Sequence, residues 1–386
     1  MKSNKIKTTI LTISLLTVMA GAAVAPALGV IKEHFSTTPD IFVKLIISIP
    51  ALFIIITNLV FKFICRFLRT KTIAVIGLVM YIVAGTCALF ANDIWVLLVF
   101  RAVLGVSVGL LMPLSTGLLA FYYPPERQSE LMGEAAAMNQ LGGVVATLIA
   151  GLLAAVSWRL SFLVYLFGLI SIVLVLLHLP NDKLLSKNER MPIKELFKFH
   201  PSVIGMLLIM MIFFVFPSNY AIIATKQGIF SAKTITIIMV AYDVVAFFVG
   251  LIFGTIMKIC KRSMKYFAPV LFFFSYFVFT LFPSVSATII ALMFGGIANG
   301  VGVPYINTIA SIKGGKYAVT SVMPLVSASL YLGQFVSPFV VKIFSKWFFP
   351  NCLVSPYKTG MILCVILLIQ VFITRKHQSL PPKIER

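Results

Sequence analysis

Apolar runs long enough to cross a bilayer recur along the whole chain, and they constrain its fold more than any other feature. A membrane-spanning helix needs about 20 predominantly apolar residues, and here such runs are separated only by short polar or basic segments. Of the 386 residues, 60% are hydrophobic and 11% are charged, with a mean hydropathy of +1.05. This composition is far from that of a soluble domain, so we predict an all-α membrane protein.

Twelve of the apolar segments are candidate transmembrane helices. The longest polar stretch divides them into two groups of six, so we predict an N-terminal six-helix bundle at 1–180, a linker at 181–200, a C-terminal bundle at 201–374 and a tail at 375–386. The start resembles a signal peptide, but its apolar run continues to spanning length and is predicted to be the first helix. The predicted helices lie at approximately 8–31, 41–61, 72–91, 94–121, 131–155, 161–179, 201–224, 234–257, 266–283, 285–311, 318–345 and 356–374.

Basic residues are concentrated in alternate interhelical segments and account for most of the net charge of +21. Charge in short loops sets membrane topology, whereas nucleic-acid binding requires a single basic patch. We therefore predict no nucleic-acid partner and a multi-pass protein of the plasma membrane, surrounded by the lipid bilayer, with both termini in the cytoplasm. The five cysteines form no CxxC pair and no metal-ligand spacing is present, so neither a metal nor a cofactor is expected.

The two halves of the sequence repeat each other. An offset of 192 residues aligns Arg66 with Lys258 and Arg69 with Lys261. Duplicated halves are typical of transporters, whose substrate site lies near the membrane midplane where the repeats meet. An offset of 191 residues aligns five glycines and prolines with identical residues: Pro26 with Pro217, Gly105 with Gly296, Gly109 with Gly300, Pro113 with Pro304, and Gly142 with Gly333.

The fourth predicted helix carries an arginine, Arg101, inside the apolar run 97–113. A charged side chain at the bilayer centre costs about 2.5–3.5 kcal/mol even on insertion scales, so it remains only where it meets water or a partner. Two explanations are open: a functional arginine, or a guanidinium bonded to backbone carbonyls of a neighbouring helix. In the second half of the sequence, the position equivalent to Arg101 is Leu292. The packing that the two halves share therefore does not require an arginine, which favours a specialised role for Arg101.

Two of the eleven acidic residues are candidates for a role in transport, and the others lie in loops, tails or at interfaces. Asp243 stands in an apolar helix, where an ionised carboxylate tends to take up a proton or find a cation. It is the first candidate proton carrier; the alternative is a neutral or hydrogen-bonded aspartate that joins two helices. Glu134, near the cytoplasmic end of the fifth predicted helix, is the second candidate, with a solvated interfacial glutamate as its alternative.

The residues from Leu97 to Gly109 resemble the arginine-bearing fourth-helix motif of the major facilitator superfamily. The small residues and proline around Pro26, and the turn at 157–159, resemble its drug:proton antiporter branch. The resemblance covers essentially the whole chain. It implies two pseudo-symmetric six-helix bundles, a small-molecule substrate, protons as the coupling ion, and a role in proton coupling for Arg101. Asp243 and Glu134 remain the candidate proton carriers that their positions in the helices suggest.

Two motifs depart from the family pattern. The loop between the second and third helices normally contains an acidic residue, but Arg66 occupies its position here and Lys258 occupies it in the second half. The antiporter motif of the fifth helix keeps Gly142 but has Thr147 where a proline is expected. Small residues still permit close helix approach. The missing proline weakens the case for export over import.

Polar side chains at membrane depth are candidate substrate ligands, and by analogy with the family those on helices one, four, seven and ten line the cavity. Each is alternatively a helix–helix hydrogen bond. The candidates are Asn219, Gln140, Asn299, Asn307, Tyr242 and Gln334. The candidate gate or structural residues are Pro26, Gly105, Gly109, Gly142, Arg66 and Lys258.

The sequence therefore favours a monomeric secondary active transporter that exports hydrophobic or amphipathic small molecules in exchange for protons by alternating access. The alternative on the same fold is an importer or facilitator of a small metabolite or anion. A third class is a non-transporting receptor or a membrane-embedded lipid enzyme. An enzyme would need acids or histidines that converge at one interface, which the sequence does not show, and a receptor would bind its ligand without transporting it. No phosphate loop or HExxH motif is present, so no enzymatic activity is expected.

Overall fold

In the computed structural model, residues 2–36, 38, 40–154, 156–184, 192–228, 232–281 and 284–374 are described, and every regular element within them is helical. Twelve long helices follow one another along these residues. They are α1 (Lys2–Ala22), α2 (Asp40–Phe67), α3 (Thr70–Cys87), α4 (Ile94–Tyr122), α5 (Pro125–Ala154), α6 (Gly168–His178, preceded by a 3-10 helix at Trp158–Phe167), α7 (His200–Gln227), α8 (Ala232–Cys260), α9 (Met264–Leu281), α10 (Val285–Gly314), α11 (Met323–Phe348) and α12 (Ser355–Ile373).

Ten stretches of the described chain are long and apolar enough to cross a membrane. Two of them, Ile237–Leu281 and Val285–Phe348, are 45 and 64 residues long and each contain two helices. The first is divided by a 3-10 turn at Lys261–Ser263, and the second by a 3-10 turn and the π-helix Ala318–Val322. The described helices therefore agree with the twelve predicted from the sequence.

The first helix is shorter than predicted. The sequence indicated one helix over 8–31, but α1 ends at Ala22, and a 3-10 turn at Ala25–Ala27 and a short helix at Leu28–His34 follow. Pro26 contributes to the break, because proline has no N–H to donate and disfavours helical geometry in the residue before it. The proline is not sufficient by itself, since its counterpart Pro217 lies inside the continuous helix α7. The interruption leaves the last carbonyls of α1 without partners from their own helix.

Arg66 and Lys258 lie in helices and not in the loops where the sequence placed them. The helices α2 and α8 continue past their predicted ends, so both residues occupy last turns. Long basic side chains keep their charged ends at the membrane surface while their stems cover apolar residues. A cation at this end of a helix is also favoured by the exposed backbone carbonyls.

The described residues fall into two compact units. The first unit is drawn from 1–124, 138–192 and 313–328, and the second from 125–137, 193–312 and 329–386. The predicted tail, 375–386, and the linker segment 185–191 lie outside the described residues.

The internal repeat is also found in the contacts between helices. A Cβ atom on Gly105 of α4 would lie 2.5 Å from the carbonyl oxygen of Pro50 in α2. A Cβ atom on Gly296 of α10 would lie 3.0 Å from the carbonyl oxygen of Tyr242 in α8. Pro50 and Tyr242 are themselves 192 positions apart. The glycines therefore allow the same close approach of two helices in each unit, as small residues do in membrane helix packing.

Alanine at Gly105 or Gly296 is expected to lower the free energy of unfolding by about 1–3 kcal/mol, the usual cost of overpacking a well-filled interface. Thermal unfolding of the purified protein in detergent measures the effect. Gly21→Ala is the matched control, because a Cβ atom at Gly21 has no neighbour within 4 Å and alanine favours the helix. Equal stability of Gly105→Ala and Gly21→Ala would contradict the close-approach interpretation.

Candidate functional site

Arg101 is buried in the first unit, where only 1% of its surface is exposed. Its Nε donates to the carbonyl oxygen of Ile46 in α2 at 2.8 Å. Its Nη1 donates to the carbonyl oxygen of Ala20 in α1 at 3.1 Å and to the hydroxyl of Tyr165 at 2.6 Å. One guanidinium thus connects α4 with α1, with α2 and with the 3-10 helix that precedes α6.

Tyr165 completes this arrangement and was not identified from the sequence. Its hydroxyl accepts from Arg101 and donates to the carbonyl oxygen of Ala20 at 2.9 Å. The ring occupies the space beside Gly85, where any Cβ atom would overlap it, and meets the ring of Tyr81 edge-on at 5.4 Å. Gly85 is therefore required so that Tyr165 can reach the end of α1.

The position of Ala20 explains why a buried cation is stable here. Ala20 lies in the last turn of α1, where the backbone carbonyls lack partners within the helix. A cation near these carbonyls is stabilised by the helix dipole and by charge-assisted hydrogen bonds. No described carboxylate of the first unit pairs with Arg101. These contacts agree with the second explanation given above, in which the guanidinium is bonded to backbone carbonyls of neighbouring helices. A role of Arg101 in proton coupling stays a prediction.

The second unit satisfies the corresponding carbonyl in a different way. At offset 191, which aligns Pro26 with Pro217, Ala20 corresponds to Met211; this residue and the next, Ile212, lie inside α7, which continues to Gln227. The hydroxyl of Ser337 in α11 donates to the Met211 carbonyl at 2.8 Å, and the hydroxyl of Tyr276 in α9 donates to the Ile212 carbonyl at 2.5 Å. Because α7 does not end at this point, its carbonyls need no cation, and Leu292 occupies the position equivalent to Arg101. The difference between Arg101 and Leu292 is thus matched by a difference in where the first helix of each unit ends.

Asp243 lies half-buried in α8 of the second unit. No described residue of this unit forms a hydrogen bond or ion pair with its carboxylate, so the alternative of a hydrogen-bonded aspartate joining two helices is not observed there. The preceding residue, Tyr242, is buried, and its ring stacks on Phe216 at 4.4 Å with an interplanar angle of 14°. Successive residues point about 100° apart around a helix, so Tyr242 anchors α8 in the core and gives Asp243 a fixed direction.

Most of the other predicted ligands also lie in the second unit. Asn299 and Asn307 of α10 are 4% and 8% exposed, and the side-chain nitrogen of Asn299 has no partner among the described residues. Asn219 of α7 donates to the carbonyl of Val215 in its own helix at 2.9 Å. Gln334 of α11 is half-buried. No hydrogen bond joins any two of these residues within the described part of the unit.

The remaining candidates lie along α5 and at the end of α1. Glu134 is half-buried in the part of α5 that belongs to the second unit, and Gln140 is half-buried in the part that belongs to the first. A Cβ atom on Gly142 would overlap the carbonyl of Leu15. Pro26 packs beside Gly151, where a Cβ atom would lie 3.7 Å from Cβ of the proline. These contacts hold α1 and the turn after it closely against α5.

Gly109 has the same packing role one turn after Gly105. A Cβ atom there would lie 2.5 Å from Cβ of Thr57 and 3.2 Å from the carbonyl oxygen of Ile54 in α2. In the second unit, a Cβ atom on Gly300 would lie 2.7 Å from the carbonyl oxygen of Ala246. Both glycines therefore belong to the scaffold that the two units share.

The turn between α2 and α3 is fastened by an aspartate from another part of the chain. The carbonyl oxygen of Asp182, which follows α6, accepts from the backbone N–H of Thr70 at 3.0 Å and from its hydroxyl at 2.9 Å. The carboxylate of Asp182 accepts from the hydroxyl of Tyr122 at the end of α4, at 2.7 Å. Asp182 therefore joins the start of α3 to the end of α4 beside a turn that lacks the family's acidic residue.

Tyr122→Phe is expected to lower the free energy of unfolding by about 1–2 kcal/mol, because it removes a hydrogen bond to a carboxylate that is partly shielded from solvent. Thermal unfolding of the purified protein gives the value. Asp182→Asn keeps an acceptor for the tyrosine and should lose less stability. A larger loss in Asp182→Asn than in Tyr122→Phe would contradict this assignment.

Comparison with known proteins places the chain among membrane transporters. A sequence model described as Major Facilitator Superfamily matches residues 10–338. Quinolone resistance protein NorA of Staphylococcus aureus (strain MSSA476) is 28% identical over 217 residues, which cover 53% of this chain and 53% of NorA. The chain thus aligns with about half the length of the curated relatives it matches.

Solved transporter structures have a similar fold. The human organic anion transporter MFSD10 (TETRAN) superposes with a TM-score of 0.81 at 14% identity and covers 95% of this chain and 99% of its own. The proton:xylose symporter XylE superposes with a TM-score of 0.79 at 12% identity, covering 96% and 95%. These matches confirm the predicted fold of two pseudo-symmetric six-helix bundles.

Proposed function

Because this chain belongs to the Major Facilitator Superfamily, we propose that it is a secondary active transporter that exports hydrophobic or amphipathic small molecules in exchange for protons. The similarity to a quinolone resistance protein over about half of the chain supports drug-like substrates. Transport would proceed by alternating access, in which two repeats expose a central site to each side in turn. We further propose that the protein is a monomer in the plasma membrane. The distribution of basic residues favours an orientation with both termini in the cytoplasm.

The observation that carries this proposal is the carboxylate of Asp243. It is half-buried in an apolar helix and has no described partner within its unit. Ionisable groups at membrane depth without a structural partner are characteristic of proton pathways and of cation-binding sites. A carboxylate that loses its proton on one side of the membrane and regains it on the other can exchange protons for a substrate.

Arg101 has a supporting role in this proposal. Its three hydrogen bonds hold the end of α1 against α2, α4 and the 3-10 helix before α6. In transporters the interrupted ends of helices near a substrate site must keep their geometry while the repeats move. We propose that Arg101 and Tyr165 keep the first unit rigid, and that Asp243, with Glu134 as a second candidate, moves the proton.

Transport assays in proteoliposomes test the proposal. With an imposed pH gradient, the purified protein should accumulate a substrate against its concentration gradient and release protons to the opposite side. The probes are a panel of lipophilic cations, neutral drugs and small anions, with protein-free liposomes as the control. Failure of the pH gradient to drive the accumulation of any member of the panel would reject proton-coupled efflux.

A second candidate function is import or facilitated passage of a small metabolite or anion. It is favoured by Ala146 and Thr147, which occupy the glycine and proline positions of the antiporter pattern. The same vesicles separate the two functions, because antiport and symport move protons in opposite directions relative to the substrate. Acidification on the side that the substrate enters would establish symport.

A further inference from the structure

The chain that leads into α11 departs from α-helical geometry. Residues 318–322 form a π-helix, in which the N–H of Met323 donates to the carbonyl oxygen of Ala318, five residues earlier instead of the usual four. A 3-10 turn at Gly315–Tyr317 precedes this segment. Turns of π-helix are rare and occur mostly inside longer helices at functional positions, so this one requires a physical explanation.

Two hydroxyl groups of the π-helix have no hydrogen-bond partner. Thr320 and Ser321 are 1% and 5% exposed, and neither hydroxyl is bonded to any residue that the structure describes. A buried serine or threonine in an α-helix ordinarily donates to the carbonyl three or four residues earlier, as Thr308 does to Pro304 at 2.7 Å. A buried hydroxyl without a partner destabilises the state in which it occurs.

A regular α-helix through this segment would give both hydroxyls an acceptor. In that register the carbonyls four residues earlier are those of Lys316 and Tyr317. The second unit contains the regular version, because residues 127–131 correspond to the π-helix at offset 191 and lie within the continuous helix α5. This helix begins at Pro125, the counterpart of Lys316. The scaffold that the repeats share is therefore compatible with an α-helix from 316 onwards.

Pro324 opposes the α-helical register. It is the second residue of α11, and in the first turn of a helix no N–H donor is needed. If the α-helix began at 316, the proline would lie in its interior, where its ring clashes with the carbonyl of Thr320 and leaves it without a donor. The equivalent residue of α5 is Gly133, which has an N–H. The proline thus favours the π-helix, while the two hydroxyls favour the α-helix.

The register also decides how this segment packs in the first unit. Val319 lies against Gly117 of α4, where a Cβ atom on the glycine would be 2.8 Å from Cα of the valine. Loss of the extra residue of the π-helix would turn the preceding residues by about 100° around the helix axis. Val319 would then leave the glycine. A change of register would therefore release this segment from α4 or return it there.

We infer that residues 316–322 form a two-state element, which alternates between the π-helix of this structure and an α-helix continuous with α11. Packed helices change position in discrete steps of this kind. The extra residue lets the segment leave and regain its contact with α4 while the rest of α11 stays helical. The role of this step in alternating access rests on the proposed transport function, whereas the change of register can be measured without a substrate.

Alkylation of Ser321→Cys by N-ethylmaleimide tests the inference, in a background in which the five native cysteines are replaced by alanine. The thiol is similar in size to the hydroxyl, so it should be buried in the π-helix and react when the segment leaves α4. Thr320→Val removes a hydroxyl that favours the α-helix and should slow alkylation about tenfold, the effect of one hydrogen bond. Pro324→Ala removes the residue that opposes the α-helix and should accelerate alkylation at least tenfold.

The matched controls are Thr308→Val, which removes a hydroxyl that has a partner, and Pro338→Ala, which removes a proline from the interior of the same helix α11. Both should leave the alkylation rate unchanged. Thermal unfolding is a second measurement. Thr308→Val should lower the unfolding temperature, whereas Thr320→Val should not, because its hydroxyl has no hydrogen bond to lose.

Equal alkylation rates in Thr320→Val, Pro324→Ala and the parent protein would overturn the inference. A loss of unfolding temperature in Thr320→Val as large as that in Thr308→Val would overturn it too. If Pro324→Ala does not fold, Thr320→Val still decides the question by both measurements. Opposite shifts of the alkylation rate in a protein that shows no gradient-driven transport would establish the change of register and reject only the proposed transport function.

Discussion

Asp243→Asn is expected to abolish substrate accumulation driven by a pH gradient while the protein folds normally. Asparagine is similar in size to aspartate but cannot bind and release a proton, so the exchange of proton for substrate loses its carrier. Because Asp243 has no described hydrogen bond or ion pair within its unit, the change removes no contact there that stabilises the fold. Uphill transport in proteoliposomes should fall to the level of protein-free liposomes, and the unfolding temperature should stay within a few degrees of wild type.

Two measurements separate loss of coupling from loss of the protein. Counterflow, in which labelled substrate exchanges for unlabelled substrate without net proton movement, should persist in Asp243→Asn. Glu130→Gln is the matched control, because Glu130 is an exposed carboxylate of the same unit, and it should retain uphill transport. If Asp243→Asn still accumulates substrate, the proton carrier is a different residue. Glu134→Gln, made in parallel, tests the second candidate.

The overall architecture could be predicted from the sequence because it depends on patterns spread over many residues. Hydrophobic runs of spanning length identified the helices, and the offset of 191 located glycines that proved to lie at equivalent helix contacts. Gly105 and Gly296 are examples: each faces a backbone carbonyl of the neighbouring helix. A glycine at such a contact has a sequence signature, because no other residue fits the space.

The surroundings of Arg101 could not be predicted in the same way. Its acceptors at Ala20 and Ile46 are backbone carbonyls, which every residue possesses, so nothing in the sequence distinguishes them. The sequence stays apolar through the break after Ala22, and Pro26 alone does not predict that break, because α7 continues through Pro217. One sequence signal for Tyr165 was available: Tyr357 stands at offset 192, so a tyrosine occurs at this position in both halves.

Arg101→Leu is expected to lower the free energy of unfolding by about 3–5 kcal/mol. The change introduces the residue that the second unit has at the equivalent position, Leu292. Three hydrogen bonds from a charged donor are lost, and hydrogen bonds to charged groups contribute about 1.5–3 kcal/mol each before compensation. The carbonyl of Ala20 would keep only the Tyr165 hydroxyl as a donor. Leucine is tolerated at 292 because α7 continues past Ile212, so the same residue should be neutral in one unit and strongly destabilising in the other.

A double-mutant cycle distinguishes this structural role from proton coupling. Tyr165→Phe should cost about 1–2 kcal/mol, and its effect should be smaller when Arg101 is already leucine, because the two side chains share the Ala20 carbonyl. Arg69→Leu, a change at an exposed arginine on the turn before α3, should leave the unfolding temperature unchanged. If Arg101→Leu is as stable as wild type but loses gradient-driven transport, Arg101 acts in coupling and the carbonyl contacts are secondary. Parallel loss of stability and of counterflow would instead establish Arg101 as the residue that holds the end of α1.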